Sequence, residues 1–273
     1  MKIVAESGCF PPRSERTFKT KSHALYNACI RRILRRGFRD FMFDIQRYDQ
    51  LGHADHGWLN AHFHFSFAEY HNPKRMGFGP LRVINDDIVQ AGGGFAPHPH
   101  RDMEIITYVR AGAITHEDSL GNRGKTAAGD IQVMSAGSGI THSEWNEEKV
   151  ATNLYQIWIH SRNKGTPPRW EAREFPKTEG ALHLLASGRD TDQAQKPLWI
   201  DSDAAIWGGV LKAGQVWEQP TSGQSYLLVS TGEITLDGET LKKGDGVAVS
   251  GVENLSITAN VASELVLIDL PKA

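Results

Sequence analysis

Thiols are almost absent from this chain. Its 273 residues include two cysteines, Cys9 and Cys29, and both fall in the first 41 positions. From residue 42 onward there can be no disulfide, no cysteine nucleophile and no thiolate metal site. A metal in that region has to be held by histidine and carboxylate. Long apolar runs are missing as well. Mean hydropathy is −0.40, and no stretch approaches the ~20 apolar residues of a membrane-spanning helix. With 40% hydrophobic and 23% charged residues, the composition is that of an ordinary globular protein, and a cytoplasmic, monomeric protein without a membrane association is expected. The body also lacks net positive charge. Residues 1–41 hold ten Lys/Arg against Glu6, Glu15 and Asp40, which leaves 20 basic and 29 acidic residues for the remainder. Such a body has no charge for gripping a phosphate backbone, and no helix-turn-helix or zinc-finger pattern is present, so direct nucleic-acid recognition is excluded.

The basic segment 1–41 reads as an extension outside the fold, although ALYNACIRRILRRGFRDF could form a basic amphipathic helix. Met42, followed at once by strand-like sequence, is an alternative start. From there onward short apolar or alternating runs are broken by Gly, Pro, Asn and Asp: ITYV after Glu104, DIQVM at 130–134, LYQIWIH at 154–160, SYLLVS at 225–230 and ELVLIDL at 264–270. Strand length and β-type composition in many short pieces predict an all-β sandwich or barrel. A weak repeat sharpens this. Gly112-Ala-Ile-Thr115 followed by Gly129-Asp130 is echoed by Gly232-Glu-Ile-Thr235 followed by Gly244-Asp245. The shared order of strand, turn, Gly-Asp and strand implies a duplication, with the division in the polar stretch 161–180. The expected domains are 42–165 and 166–273. Trp170 and Phe175 in the connecting stretch favour packing over a free tether.

Two short pairs carry the chemistry. His98-Pro99-His100 and His142-Ser143-Glu144 each have i, i+2 spacing, which on an extended strand aims both side chains at one face. Pro97 and Pro99 lack amide donors and place the first pair at a sheet edge or rim. Gly137 and Gly139 permit a tight turn before the second. Three imidazoles and a carboxylate suit a divalent first-row metal with positions left for water or substrate. Glu104 shares the parity of His98 and His100 and is a second carboxylate candidate. His62 and His64 read as the polar side of a half-buried strand whose other side is Phe63, Phe65 and Phe67. His53, His56, His71, His116 and His160 read as surface or turn residues, or as supports for a ligand. Phe95, Met103, Trp145 and Trp158 could line an apolar pocket or belong to the core.

PHPHRDMEIITYV, THEDSLGNRGKTAAGDIQVMSAGSGITHSEWN and the upstream HGWLNAHFHFSF and MGFGPLRVINDD resemble the characteristic blocks of the pirin family of cupins. The resemblance is strong over about residues 46–160 and looser beyond. It implies a bicupin: two jelly-roll-like double-stranded β-helix barrels packed together, with one divalent metal in the first and none in the second. Carried over by motif, the ligands are His98, His100, His142 and Glu144. The second half agrees, because after His160 its only histidine is His183. Iron is the expected metal, with Cu, Mn, Ni, Co and Zn as the other candidates. The resemblance further implies a dioxygenase opening the central ring of flavonols such as quercetin with O2, in which Glu144, or Glu104 if Glu144 is fixed on the metal, takes the enol proton. A non-catalytic reading, a redox-sensing regulator acting through a partner protein, stands beside it.

Overall fold

Alternating short strands and tight glycine turns leave no segment long enough for an α-helix among the described residues. The computed structural model describes residues 42–272, and the leading segment with its candidate amphipathic helix lies outside the described residues. The first half contributes β1 (Phe43–Gln46), β2 (Gly52–Asp55), β3 (Leu59–Phe63), β4 (Leu81–Val89), β5 (Gly94–His100), β6 (Met103–Ala111), β7 (Ala113–Asp118), β8 (Arg123–Ala127), β9 (Ile131–Ser135), β10 (Ile140–Trp145) and β11 (Thr152–His160). The second contributes β12 (Arg169–Arg173), β13 (Ala181–Ser187), β14 (Leu198–Trp199), β15 (Ala205–Leu211), β16 (Val216–Pro220), β17 (Gln224–Thr231), β18 (Glu233–Leu236), β19 (Glu239–Lys242), β20 (Gly246–Ser250), β21 (Asn254–Ala259) and β22 (Ser263–Leu270). Two short 3-10 turns complete the described residues, and no helix among them is long and apolar enough to cross a membrane.

The duplication is explicit in the topology. One large sheet runs β12-β9-β6-β11-β4-β3-β2 and the other β1-β20-β17-β22-β15-β13-β14, and the small sheets run β5-β10-β7-β8 and β16-β21-β18-β19. Each strand has its counterpart at the same place except at one outer edge, where β14 runs parallel to β13 but β2 antiparallel to β3. The repeated glycines do the same work in both halves: Gly112 and Gly232 both have positive φ, and a Cβ there would meet Thr152 Oγ1 at 2.6 Å or Ser263 Oγ at 2.3 Å. Each large sheet closes against its small sheet to form a barrel, and the outer faces of the two large sheets pack on each other. Ile84, Ile106, Tyr155 and Ile157 of the first half meet Leu185, Ile206, Tyr226 and Ile268 of the second in one apolar cluster. Each such side chain stabilises the fold by about 1.5–3 kcal/mol. Set into this layer is the Arg110–Asp86 ion pair, whose guanidinium lies 4.2 Å from the Tyr155 ring centroid.

The halves also exchange an edge strand. β1, from the start of the described chain, pairs with β20 of the second half, while β12, from the connection, pairs with β9 of the first. Each exchanged strand covers an edge that would otherwise be open. The repeated Gly-Asp turn holds both. Asp130 accepts from Phe175 N and Lys177 Nζ, each at 3.0 Å; Asp245 accepts from Tyr48 N at 3.0 Å and Arg47 at 2.8 Å. A linear division at 165/166 therefore does not follow the sheets, because pairing of the exchanged strands is non-local. The connection packs as expected: Trp170 and Phe175 both sit against core clusters. Asp245→Ala is expected to lower stability by about 2 kcal/mol, read as a shift in urea midpoint, and an unchanged midpoint would remove the latch role.

The polar side of the His62/His64 segment is not solvent. His62 is half-buried and stacked on Tyr48 at 4.3 Å, whereas His64 is fully buried between the halves, its Nδ1 3.1 Å from the Tyr226 hydroxyl. Duplication covers both faces of the large sheet, which period-two alternation alone does not reveal. Burial, then the positive charges of Arg75, Arg110 and His62, depress the His64 pKa from 6.5 to about 3. The folded state therefore binds this proton more weakly than the unfolded one, and the stability it contributes is complete above pH 6.5 and lost as pH falls toward 3. His64→Gln is expected to flatten that acid limb in denaturant midpoints measured across the window.

Candidate metal centre

Three pairs of alternate residues build the centre, one on each of three adjacent strands of the small sheet. His142 lies directly opposite His98 in the β10–β5 ladder. On the other side of β10, His142 faces Asp118 and Glu144 faces His116 in the ladder to β7. Opposed residues on antiparallel strands share a face, so His98, His100, His142, Glu144, His116 and Asp118 all point into the first barrel. A register shift between His142 and Glu144 on the β5 side bends β10 at this point.

The imidazoles of His98, His100 and His142 converge, with ring centroids 4.5–5.0 Å apart. His98 donates from Nδ1 to Ala96 O at 2.7 Å, which leaves Nε2 as its free ligand atom. His100 Nε2 and His142 Nε2 are buried without a hydrogen-bond partner. A buried acceptor with no donor is costly, and a divalent cation is what this set of three would satisfy. Burial and the neighbouring His98 push the His100 pKa down to about 4, and burial with His98, His100 and His116 pushes His142 down to about 2. Both rings are therefore neutral at ordinary pH, the state ligation requires.

A second set of candidate donors, His116, His142 and Glu144, shares His142 with the first. Glu144 is anchored from the opposite wall of the barrel. Its Oε1 accepts from Thr107 Oγ1 at 2.9 Å and Gln132 Nε2 at 2.5 Å, and its Oε2 accepts from Gln156 Nε2 at 2.6 Å. Those three donors, with Asn85, form one rank across four neighbouring strands. Beside them burial, reinforced by Asp86 and Glu144, pushes the Asp87 carboxyl well above its ordinary value.

Glu104 is not brought to this face. Its strand starts afresh after a turn at Arg101-Asp102, where Asp102 has φ of 51°, so the parity shared with His98 and His100 is lost. Glu104 is buried on the outer face of the large sheet, where Ser135 Oγ donates to it at 2.6 Å and Ser161 Oγ at 2.7 Å. Burial raises its pKa against those two bonds. His116, by contrast, is at the centre. It is fully buried, its Nε2 is 3.0 Å from Asp118 Oδ2, its Nδ1 is 3.3 Å from His142 Nδ1, and it stacks on Trp170 at 4.8 Å and 6°. The third i, i+2 pair in THED was the available signal. Burial alone would raise the Asp118 carboxyl, but hydrogen bonds from His116, Asn122 and Leu120 N hold it below its ordinary range.

An open cavity of about 430 Å³ adjoins His100, lined by Pro99, Arg101, Ser119, Gly139, Ile140 and Thr141. The four aromatic and sulfur residues considered from the sequence lie elsewhere. Trp158 packs edge-on against His100 at 4.9 Å, Phe95 packs on Trp58, Met103 joins the core around Trp158, and Trp145 is exposed.

The second barrel has nothing comparable. Matching the ladders puts Leu236, Leu255 and Ile257 where the first half has His116, His142 and Glu144, and Leu227, Val247 and Leu267 where it has Thr107, Gln132 and Gln156. All six lie in one aliphatic cluster. About one metal per chain is expected by elemental analysis, falling to near zero in His142→Ala. Because protons compete for His100 and His142 only well below their usual range, dialysis across a pH series is expected to release the metal as pH falls toward about 4 rather than near 6.5.

Comparison with known proteins agrees with the two-barrel fold. Residues 44–159 match the family model described as Pirin, and residues 184–270 the one described as Quercetinase C-terminal cupin domain. A Pseudomonas aeruginosa protein named "Putative quercetin 2,3-dioxygenase" is 51% identical over 84% of this chain and the whole of its own length. The Escherichia coli K12 protein named quercetin 2,3-dioxygenase is 39% identical over 84% of this chain and 99% of its own. The crystal structure of the bacterial pirin YhhW of E. coli in complex with nickel(II) superposes with a TM-score of 0.80 at 39% identity, covering 85% of this chain and 100% of that one. With its two cupin barrels and its His/Glu metal-binding cluster, the chain belongs to the pirin family.

Proposed function

We propose that this protein is a metal-dependent dioxygenase that opens flavonols such as quercetin. The observation that carries the reading is the convergence of three imidazoles, two of them held neutral by burial, beside a buried carboxylate at the edge of an open cavity. His98, His100 and His142 would hold the metal through Nε2, with Glu144 as the fourth ligand. The metal would supply a Lewis-acid position for an acidic enol oxygen and the redox chemistry of O2. Iron is the proposed ion, and the nickel(II) complex of the E. coli relative makes nickel the second to try.

The residues themselves have definable tasks. A volume of about 430 Å³ is within the range that takes a small aromatic molecule. Pro99 and Ile140 offer it apolar surface, and Arg101, Ser119 and Thr141 offer donors to phenolic oxygens. Glu144 takes the proton. An ionised carboxylate has about four acceptor directions, and Thr107, Gln132 and Gln156 occupy three of them. One partner at a time can use the remaining direction, the metal or the enol proton. Glu104, on the other face of its sheet, is not placed to share that role.

The test is oxygen uptake together with loss of the flavonol absorption band in protein reconstituted with iron(II), and in parallel with nickel(II). Glu144→Gln is expected to lower kcat by at least ~100-fold, the scale of a lost general base, while three histidines keep most of the metal. A fully metallated parent protein that neither binds nor turns over flavonols would overturn the enzymatic reading in favour of a redox-sensing regulator with a protein partner.

A further inference from the structure

The geometry points to a role for a pair of buried residues behind the metal centre: Asp118 and His116 set the tautomer of His142, so that its Nε2 faces His98 and His100 with a free electron pair. This rests on the assignment of His142 as a ligand, but not on any particular substrate.

Asp118 is the fixed point of the arrangement. Its Oδ1 accepts from Leu120 N at 2.9 Å, Asn122 N at 3.1 Å and Asn122 Nδ2 at 3.2 Å, and its Oδ2 from Asn122 Nδ2 at 3.0 Å. The loop 118–122 thus wraps the carboxylate in donors and fixes it in place. Its remaining partner is His116 Nε2, at 3.0 Å. An ionised carboxylate can only accept, so Nε2 of His116 carries the hydrogen. With a single hydrogen on its ring nitrogens, His116 has one donor and one acceptor, so that Nδ1 is the acceptor. That atom lies 3.3 Å from Nδ1 of His142. Nδ1 of His142 therefore carries its hydrogen, and Nε2, which has no protein partner, is left with the electron pair.

The register makes this arrangement hard to escape. His142 stands opposite Asp118, and Glu144 opposite His116, in the same ladder, so the two imidazoles are held side by side by backbone pairing. Trp170 lies parallel to the His116 ring at 4.8 Å and blocks its rotation. It reaches that position only because Gly124 has no side chain, since a Cβ there would meet the indole at 2.3 Å. His98 has its tautomer set in the same sense by a backbone carbonyl, that of Ala96. His142 uses a second histidine instead. His116 and Asp118 are positioning residues, and the closeness of the two Nδ1 atoms is a hydrogen bond, not the seat of a second ion.

The decisive measurement is made on the full, uniformly 15N-labelled protein without metal, using long-range proton–nitrogen correlation spectra of the imidazoles. His142 is expected to show a protonated Nδ1 and an unprotonated Nε2, and His116 the reverse. In His116→Phe the His142 signals are expected to move toward a tautomer mixture, and nickel(II) affinity, measured by chelator competition, to fall ~10- to 100-fold. His116→Gln, whose amide oxygen can accept from His142 Nδ1, is expected to recover a good part of that loss, which a purely steric role would not allow. A protonated Nε2 on His142 in the parent protein overturns the inference whether or not either variant folds. So does unchanged nickel affinity in His116→Phe, or two nickel ions bound per chain in the parent. Absence of flavonol turnover leaves these readouts intact and bears only on the proposed reaction.

Discussion

Opposed residues on antiparallel strands share a face, and the metal centre depends on that constraint more than on any single contact. β10 lies between β5 and β7, so its two inward residues are read against both neighbours at once. His98 arrives from one side, and His116 and Asp118 from the other. The large sheet then supplies the facing wall in the same manner, with Asn85, Gln156, Thr107 and Gln132 level across four strands. Slipping any one of these ladders by a residue would turn its polar side chains out of the barrel. The site is a property of register before it is a property of side-chain choice.

The two barrels show what the same frame does with different occupants. In the second, aliphatic residues stand at the positions of the candidate ligands and of the side chains that donate to Glu144, and the interior closes on itself. In the first, a buried carboxylate, several amides and four imidazoles must each find partners, because an unsatisfied polar group inside a barrel costs free energy that packing does not return. Nearly all of them do so within the site. The exceptions include Asn85 Oδ1 and Asp87 Oδ1 on the large sheet as well as His100 Nε2 and His142 Nε2, and the last two, which converge with His98, are the atoms left for a cation.

Much of this was legible in the sequence, for reasons that can be stated. Alternation within a strand is a local property, so the pairs His98/His100 and His142/Glu144 could be read directly. The repeated glycines mark positive-φ turns that recur wherever the hairpin recurs, and so the duplication could be read too. What escaped depends on pairings between distant segments. His116 and Asp118 also alternate, but nothing local says that β7 lies beside β10. Glu104 had the right parity, and the turn at Arg101-Asp102 cancelled it. The exchange of β1 and β12 between halves leaves no local trace, although the Gly-Asp turns that grip them are the most visible part of the repeat.

That exchange has a consequence for how the chain acquires its structure. Tyr48, just past β1, is latched by Asp245, 197 residues later. Of the described strands, β1 leaves the ribosome first and is among the last to find its partner, because β20 is still unmade while the first barrel is already complete in sequence. Pairings of this span carry a large loop-closure cost and slow folding. Until β20 emerges, β1 lacks its partner strand and is open to pairing with another copy.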